Sequence, residues 1–295
     1  MTRIEVSAIK KEPGIREYTV AEDCELLAFL SAALPARDNA KALLKYRAVY
    51  VDGAVTTQYN HALTRGQTVA IAPRNRRAEL DGILYEDAEI IVFNKPAGLL
   101  SIATEREREN TAYRMLTEHV RSGDARGRIF VVHRLDRDTS GVLLAAKTEG
   151  MKRLLQDNWA ELVKTRGYTA LVEGRLAERS GTLRSWLRET STHVVYESGV
   201  EGDGVEAVTE YRVLRESAAY SLLDIRLKTG RKNQIRVQLG GIGHPVAGDK
   251  KYGAATSPIK RLGLHAHLLE IEHPVTGELM SFAATLPGVF LRPFA

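Results

Sequence analysis

A short segment in the middle of the chain carries the side chains with the clearest chemical potential. An apolar stretch, residues 129–132, runs into His133-Arg134-Leu135-Asp136, and Thr139-Ser140-Gly141 then leads into a second apolar stretch, residues 142–146. Because Thr, Ser and Gly are typical of turns, this order predicts that Asp136 lies on a connection between two strands, where a reactive side chain can leave the core. A carboxylate in such a position can act as a nucleophile, or it can simply cap the turn.

Composition limits the class of protein that could carry this segment. The chain has 295 residues, enough for one large or two smaller domains, and its apolar fraction of 44% can build a core. Its net charge of +5 permits a polyanionic partner without requiring one. Cys24 is the only cysteine, which excludes an internal disulfide, and no apolar run approaches the roughly 20 residues of a membrane helix. Without an apolar signal segment at the N-terminus, we expect a cytoplasmic protein, and we expect a monomer.

The pattern along the chain predicts two domains, residues 1–75 and 80–295. Residues 74–79, at the boundary, are polar, charged and without hydrophobic periodicity, as expected of a linker. The first domain has the apolar spacing and the turn signals of two helices, one hairpin and a last strand, at residues 25–34, 36–46, 49–56 and 68–72.

Three basic residues, Arg37, Lys41 and Lys45, recur every four residues along the second of these helices and therefore share one face. A basic stripe is usually a solvated face. However, two helices, a V-x-V-D-G hairpin and a closing G-x-x-V-x-I strand resemble the small αL-type RNA-binding domain. The resemblance implies that these three residues, and Arg47, contact RNA phosphates, which supply affinity and positioning rather than sequence choice.

The second predicted domain alternates short strands with turns and a few helices. Strands are predicted at residues 83–87, 89–94, 168–172, 208–214, 220–227, 265–271 and 279–284, and helices at 111–121 and 151–163. No strand-then-helix unit repeats regularly, which argues against a doubly wound parallel fold. The predicted fold class is α+β, with a catalytic domain on a largely antiparallel mixed sheet with flanking helices, plus a small N-terminal α/β domain.

The segment around Asp136 resembles the H-R-L-D-x-x-T-S-G signature of the RluA-type pseudouridine synthases. Further segments match that family in order: Asn94–Leu100, the tyrosine strand Gly167–Gly174, Thr229–Val237, Gly243–Asp249 with Tyr252-Gly253, and Arg261–Ala266 with His273-Pro274. Three positions depart from the family's pattern, because Arg166 replaces a lysine and Asn233 and Gln238 replace histidines.

This resemblance implies an enzyme that converts uridine in RNA to pseudouridine. The reaction breaks the bond from the ribose to a ring nitrogen, rotates the base and rejoins it through a ring carbon, so it needs no metal and no cofactor. Asp136 would be the carboxylate beside the anomeric carbon, either as a nucleophile or as a stabiliser of positive charge on the sugar. Tyr168 would stack on the base and assist the late removal of a proton. The family leaves the position of Asp138 free, and we interpret it as structural or solvent-facing.

The resemblance also implies that Arg231 pairs with Asp136, keeps it ionised and fixes its direction. The alternative role of Arg231 is a phosphate contact, because it lies in a basic stretch, residues 226–236. The remaining expected RNA contacts are Arg134, which would fill the space that a flipped-out uridine leaves, Ile235 and Leu264, on the apolar walls of the base pocket, and Arg236.

Three other interpretations remain open. The run Asp136-Arg137-Asp138-Thr139 is similar to the motif of haloacid-dehalogenase-type phosphotransferases, but no alternating parallel architecture follows it. His265 and His267 share a strand face and could bind zinc, although the other histidines show no ligand spacing. The third interpretation is a non-catalytic RNA-binding module. Only the replacement of the family's histidines by Asn233 and Gln238 favours it.

The resemblance also bears on the RNA target. Large-subunit rRNA is expected, because the αL-type domain accompanies many rRNA-directed members of the family. A tRNA target is the main alternative, and nothing in the sequence chooses between them.

Overall fold

The structure, a computed structural model, describes residues 7–9, 16–34, 40–45, 48–56, 58–71, 82–105 and 107–294. It contains two compact units, Met1–Ala78 and Glu79–Ala295. Among the described residues, none of the helices combines the length and the apolar character needed to cross a membrane.

The first unit combines short strands with two helices. Its strands are β1 (Ser7–Ile9), β2 (Arg16–Thr19), β3 (Cys24–Glu25), β4 (Val49–Val51), β5 (Ala54–Val55), β6 (Ala62–Leu63) and β7 (Thr68–Ile71), and its helices are α1 (Leu26–Ala33) and α2 (Ala40–Lys45). Within the described residues, five strands form an antiparallel sheet in the order β1-β2-β7-β4-β5, and β3 pairs with β6. Leu26, Phe29 and Leu30 bury one face of α1 in the same apolar cluster as Val49 and Val69.

The hairpin predicted at Asp52-Gly53 is confirmed. Both residues have positive φ, 48° and 81°, which matches the twist of a tight two-residue turn between antiparallel strands. The Asp52 carboxylate accepts a hydrogen bond from the backbone N–H of Thr68 at 2.9 Å. The turn is therefore tied to the neighbouring strand β7.

The second unit is built mainly from strands. These are β8 (Ile83–Glu86), β9 (Ile90–Lys95), β10 (Phe130–Val131), β11 (Ser140–Ala146), β12 (Val163–Glu173), β13 (Ser180–Glu189), β14 (Val195–Ser198), β15 (Val205–Glu216), β16 (Tyr220–Leu227), β17 (Leu264–Glu272) and β18 (Leu279–Ala283). The helices are α3 (Ala112–Gly123), α4 (Glu149–Asp157), α5 (Trp159–Leu162) and α6 (Gln234–Gly241), with 3₁₀ turns at Lys250–Tyr252 and Gly288–Phe294.

These strands form one sheet in the order β14-β13-β15-β16-β12-β17-β11-β9-β8, with β10 on β11 and β18 on β17. The pair β11–β17 is parallel and the other pairs of this sheet are antiparallel. The predicted α+β class on a largely antiparallel mixed sheet is confirmed.

Helices cover both faces of the sheet at β9 and β11. Val92 and Leu144 pack on one face with Leu155 of α4, whereas Phe93 packs on the other with Leu116 of α3. Because side chains alternate along a strand, burial of both faces requires the nearly continuous apolar runs seen in these two strands.

The helix α6 was not predicted, and it carries part of the site. Ile235 and Leu239 lie one helical turn apart and pack on the sheet residues Leu223 and Ile225. The buried Gln238 amide donates to the carbonyl of Ala207 at 3.0 Å and anchors the helix to β15.

The helix predicted over residues 151–163 is divided into α4 and α5 at Asn158. The Asn158 side chain donates to the carbonyl of Leu154 at 2.9 Å and so caps the end of α4. The strands β13 and β14 were not predicted.

Candidate active site

Asp136 lies on the turn between β10 and β11, as predicted. The peptide groups on both sides of it are held by side chains. The Ser101 hydroxyl donates to the carbonyl of Leu135 at 2.7 Å and accepts from its N–H at 3.1 Å. The fully buried Lys95 ammonium donates to the carbonyl of Arg137 at 3.1 Å. These bonds fix the backbone direction from which the Asp136 side chain projects.

Gly141 permits the close approach of β11 to β17 that brings this turn next to Tyr168. Its φ is +115°, and a Cβ atom there would lie 2.0 Å from the carbonyl oxygen of Ala266, so no other residue fits. Ala266 faces Gly141 on one side and Tyr168 on the other. The register shifts from Gly167–Leu268 to Tyr168–Ala266, so His267 of β17 is the extra residue of a bulge beside the tyrosine.

Tyr168 is a half-buried tyrosine, and no described residue hydrogen-bonds to its hydroxyl. Burial raises the pKa of Tyr168 to about 12, with the charge of Asp136 acting in the same direction and that of Arg166 opposing it. The phenol is therefore neutral across the physiological pH range. Such a ring suits stacking on a base better than removal of a proton.

Arg236, in the first turn of α6, is the cation that contacts Asp136. Its Nη1 donates to Oδ2 of Asp136 at 2.9 Å. Its Nε and Nη2 make a two-pronged contact with Asp249, at 2.6 and 2.9 Å. The Asp249 side chain is only 2% exposed, whereas that of Asp136 is 37% exposed. Burial opposes the charge of Arg236, but the two carboxylates outweigh it and hold the pKa of Arg236 above its ordinary value.

Asn233 and Tyr252 hold the same guanidinium group from other directions. The Asn233 side-chain oxygen accepts from Arg236 Nη1 at 3.0 Å, and its amide donates to the Tyr252 hydroxyl at 2.9 Å. The Arg236 guanidinium carbon lies 5.0 Å from the centre of the Tyr252 ring. Asn233 has a φ of 55°, a left-handed conformation that asparagine tolerates. Asparagine at this position therefore has a structural use of its own.

The predicted partner of Asp136 was wrong. Arg231 makes no ion pair with Asp136 within the described part of the chain, and its Nε instead donates to the backbone carbonyl of Glu206 at 3.0 Å. Arg231 precedes α6, while Arg236 lies inside it, and the start of the helix at Gln234 turns Arg236 toward the carboxylate. Arg236, predicted as an RNA contact, thus contacts Asp136, and its contact with RNA stays a prediction.

The predicted site residues of the second unit line a common cleft of about 550 Å³. They are Arg134, Asp136, Tyr168, Arg231, Ile235, Arg236 and Leu264. Ile235 and Leu264 are buried and give the cleft an apolar wall. Arg134 is exposed, and no described residue hydrogen-bonds to it.

The basic residues predicted in the first unit are described only in part. Arg37 and Arg47 lie outside the described residues, and Lys41 and Lys45 lie on α2, with side chains that are not described. Their contact with RNA stays a prediction.

His265, considered above as a zinc ligand, uses both ring nitrogens within the protein. Nδ1 lies 2.8 Å from the Ser140 hydroxyl, and Nε2 lies 3.1 Å from the carbonyl of Ala284. Burial lowers the pKa of His265 to about 4. Among the described residues, no cluster of three or more His, Cys, Asp or Glu side chains could hold a metal ion.

Four residues that organise the site received no role from the sequence: Lys95, Ser101, Asp249 and Tyr252. Lys95, Asp249 and Tyr252 lay inside the segments matched to the family, and this was the signal that could have identified them. Ser101 had no such signal, because a serine beside a loop is common and its partner, Leu135, is far away in sequence.

The chain is similar to known proteins of one family. Residues 89–240 match the family described as RNA pseudouridylate synthase. The chain is 35% identical over 212 residues to the uncharacterized RNA pseudouridine synthase YhcT of Bacillus subtilis, covering 71% of this chain and 70% of that protein. It is 34% identical over 277 residues to ribosomal large subunit pseudouridine synthase D of Nitrosomonas europaea, covering 88% of this chain and 80% of that protein.

A solved structure shares the fold. The human RNA pseudouridylate synthase domain containing 4 superposes with a TM-score of 0.59 at 24% identity, covering 71% of this chain and 90% of that one.

Proposed function

This chain belongs to the family of RNA pseudouridine synthases, and from that membership we propose that it converts specific uridines of large-subunit rRNA to pseudouridine. The choice of target rests on relatives named ribosomal large subunit pseudouridine synthase D, which include the Nitrosomonas europaea protein, matched over 88% of this chain. The predicted RNA-binding role of residues 1–75 is consistent with a structured RNA. The monomeric state and the cytoplasmic location stay predictions.

The arrangement of Asp136 carries the proposed mechanism. Arg236 occupies Oδ2, and no described residue donates to Oδ1, which leaves one carboxylate oxygen for the anomeric carbon of the ribose. Because Arg236 is also held by Asp249, the three groups together carry one net negative charge. Asp136 therefore keeps the electron density needed either to attack the sugar or to stabilise its positive charge.

Tyr168, Ile235 and Leu264 would hold the uracil ring while its bond to the sugar is broken. The neutral tyrosine ring offers a stacking surface, and the two aliphatic side chains exclude water. The base must be confined because, once detached from the ribose, it has to rotate within the cleft and then bond to the ribose again through a ring carbon. Arg134, exposed at the cleft, would occupy the space that the flipped uridine leaves.

The proposal is tested by mapping pseudouridine in rRNA and tRNA from cells that lack the gene, and from cells that regain the intact chain, Asp136→Asn or Asp138→Asn. We expect the intact chain and Asp138→Asn to restore the same position in large-subunit rRNA, and Asp136→Asn to restore none. Asp138 is a matched control because it lies in the same turn but pairs with the exposed Arg137. Restoration in tRNA alone would overturn the rRNA target, and full restoration by Asp136→Asn would overturn the mechanism.

A further inference from the structure

Two guanidinium groups line both the cleft and a neighbouring cavity, and neither has a carboxylate partner among the described residues. Arg166 donates to the backbone carbonyl of Lys228 at 3.3 Å, and Arg231 donates to that of Glu206 at 3.0 Å. Burial lowers the pKa of Arg166, and the charge of Arg231 lowers it further. Arg166 is partly buried and Arg231 is exposed, and two close cations without a counter-charge repel each other, which indicates a site for an anion.

The two arginines line both the cleft and a second cavity of about 410 Å³, and Trp159, Leu227 and Gly230 are also common to the two linings. That cavity is lined by Trp159, Ala160, Val163, Lys164, Leu227, Lys228, Thr229 and Gly230, together with the two arginines. This lining holds four basic side chains and no acidic one. Its size lies within the range of about 300–1,000 Å³ that is common for small-ligand pockets.

The strand β12 explains how the cavity and the cleft are aligned. Arg166 and Tyr168 alternate along the strand and therefore lie on one face of the sheet, while Lys164 is the extra residue at a register shift in β12. Lys164 lines the second cavity, Tyr168 lines the cleft, and Arg166 lines both. A polymer that places one unit against Tyr168 would therefore place a neighbouring unit in the second cavity.

The other two cations of the cavity already have partners. Lys164 lies 3.1 Å from Glu272, and Lys228 lies 3.1 Å from Glu210. The excess positive charge is thus concentrated on Arg166 and Arg231, which lie where two successive units of a bound strand would meet. In RNA, that junction is a phosphodiester with one negative charge.

We propose that Arg166 and Arg231 bind the phosphate next to the target uridine and that the second cavity takes the adjoining nucleotide, with Trp159 as its apolar wall. This inference rests on the proposed function, because it assumes that RNA enters the cleft. It also gives Arg231 a role in RNA binding, since Arg236 and not Arg231 contacts Asp136.

The first test measures the salt dependence of RNA binding. The protein is the full chain carrying Asp136→Asn, and the probe is a labelled hairpin from the rRNA that contains the target uridine. We expect Arg166→Gln to weaken binding roughly tenfold and to lower the slope of log affinity against log salt by about one, as for one lost phosphate contact. Arg166→Lys keeps the charge and should restore most of both. An unchanged slope in Arg166→Gln would overturn the proposal.

A matched control is Arg179→Gln. Arg179 is an exposed arginine paired with Glu216, and it lines neither cavity. We expect its slope to equal that of the parent. A drop as large as that of Arg166→Gln would show only a general loss of surface charge and would overturn the assignment of a local site.

The second test neutralises the phosphate instead of the arginine. A methylphosphonate replaces the phosphodiester on the 5′ or on the 3′ side of the target uridine. We expect one of the two substitutions to weaken binding by the parent protein and to have no further effect in Arg166→Gln. If both methylphosphonates weakened binding equally, and did so as strongly in Arg166→Gln as in the parent protein, the proposed phosphate contact would be overturned.

These measurements are independent of turnover. Absence of pseudouridine formation by the intact chain would overturn the proposed function while a changed salt slope still supported the phosphate contact. In the active enzyme, we expect Arg166→Gln to raise KM roughly tenfold and to leave kcat nearly unchanged. A loss confined to kcat would contradict a binding role.

Discussion

Two neighbouring clusters of charged side chains in the second unit differ in how their charges are balanced. At Asp136, Arg236 and Asp249 the cation is shared by two carboxylates, at 2.9, 2.6 and 2.9 Å. At Arg166 and Arg231, each side chain donates to a backbone carbonyl, and no carboxylate pairs with either within the described part of the chain. The first cluster pairs its cation without a ligand, whereas an anion bound at the second cluster would offset one of its two positive charges.

The difference separates two uses of an arginine in one cleft. A guanidinium held between carboxylates has a fixed direction, and it orients a reactive group. A guanidinium with spare donors keeps its attraction for a mobile phosphate, and it contributes to affinity instead. The following substitutions should therefore change catalysis and binding separately.

Replacement of Arg236 by lysine should have the largest effect. A single ammonium cannot span both Asp249 and Asp136, so the direction of the Asp136 carboxylate is lost and we expect kcat to fall about 10²- to 10³-fold. Arg231→Lys keeps the charge and should leave kcat nearly unchanged. Single-turnover assays on both variants, with melting temperatures measured alongside, test this. Equal losses of kcat would remove the distinction between the two clusters.

The choice between these two arginines shows where sequence reasoning stopped. The turn that carries Asp136 was predicted correctly, because the two apolar strands and the Thr-Ser-Gly turn residues are signals that lie close together in the sequence. The partner of Asp136 depends on where α6 begins, and Asn233, with a φ of 55°, sets that point. Since no apolar periodicity marks residues 229–237, spacing alone could not tell Arg236 from Arg231.

In the fold as well, elements marked by local sequence patterns were predicted, whereas an element fixed by pairing with a separate segment was not. The strands β9 and β11 are apolar runs with both faces buried, and they were predicted close to their final bounds. The strand β13 mixes charged and apolar residues and was missed. Its place is fixed by pairing with β15, a contact between segments distant in sequence.

Acidification should destabilise the second unit through His133, which lines the cleft. Burial, with the charge of Arg166 in the same direction, lowers the pKa of His133 to about 4, and Nε2 of His133 accepts from the N–H of Leu144 at 3.0 Å. Because the unfolded chain binds this proton more readily, the stabilisation is present above pH 6.5 and is lost as the pH falls toward 4. We expect the free energy of unfolding to drop by about 2 kcal/mol from this residue between pH 7 and pH 4.5. In urea unfolding, the free energy of unfolding of His133→Gln should drop by about 2 kcal/mol less than that of the parent between pH 7 and pH 4.5. The same drop in both proteins would refute the assignment to His133.

A smaller effect is expected at Tyr168, between the two clusters. Since the pKa of Tyr168 is raised to about 12, the phenol stays protonated and its ring is the part that acts. Tyr168→Phe should bind the rRNA hairpin as the parent does, while Tyr168→Ala should bind roughly tenfold more weakly, the usual cost of one lost stacking contact. Equal weakening in both variants would assign the contact to the hydroxyl instead.

The smallest effect on kcat concerns RNA contacts that lie outside both clusters. If Lys41 and Lys45 of α2 meet phosphates, their joint replacement by alanine should lower the salt slope of RNA binding by up to about two, without changing kcat. The reason is that phosphate contacts outside the cleft add affinity equally to the ground state and to the transition state, and so they do not affect the chemical step. Replacement of the exposed Arg153, which pairs with Glu149, by alanine is the control for general charge. A fall in kcat together with an unchanged slope would show that α2 acts on the catalytic unit by some route other than RNA, and the predicted role of the first unit would then be wrong.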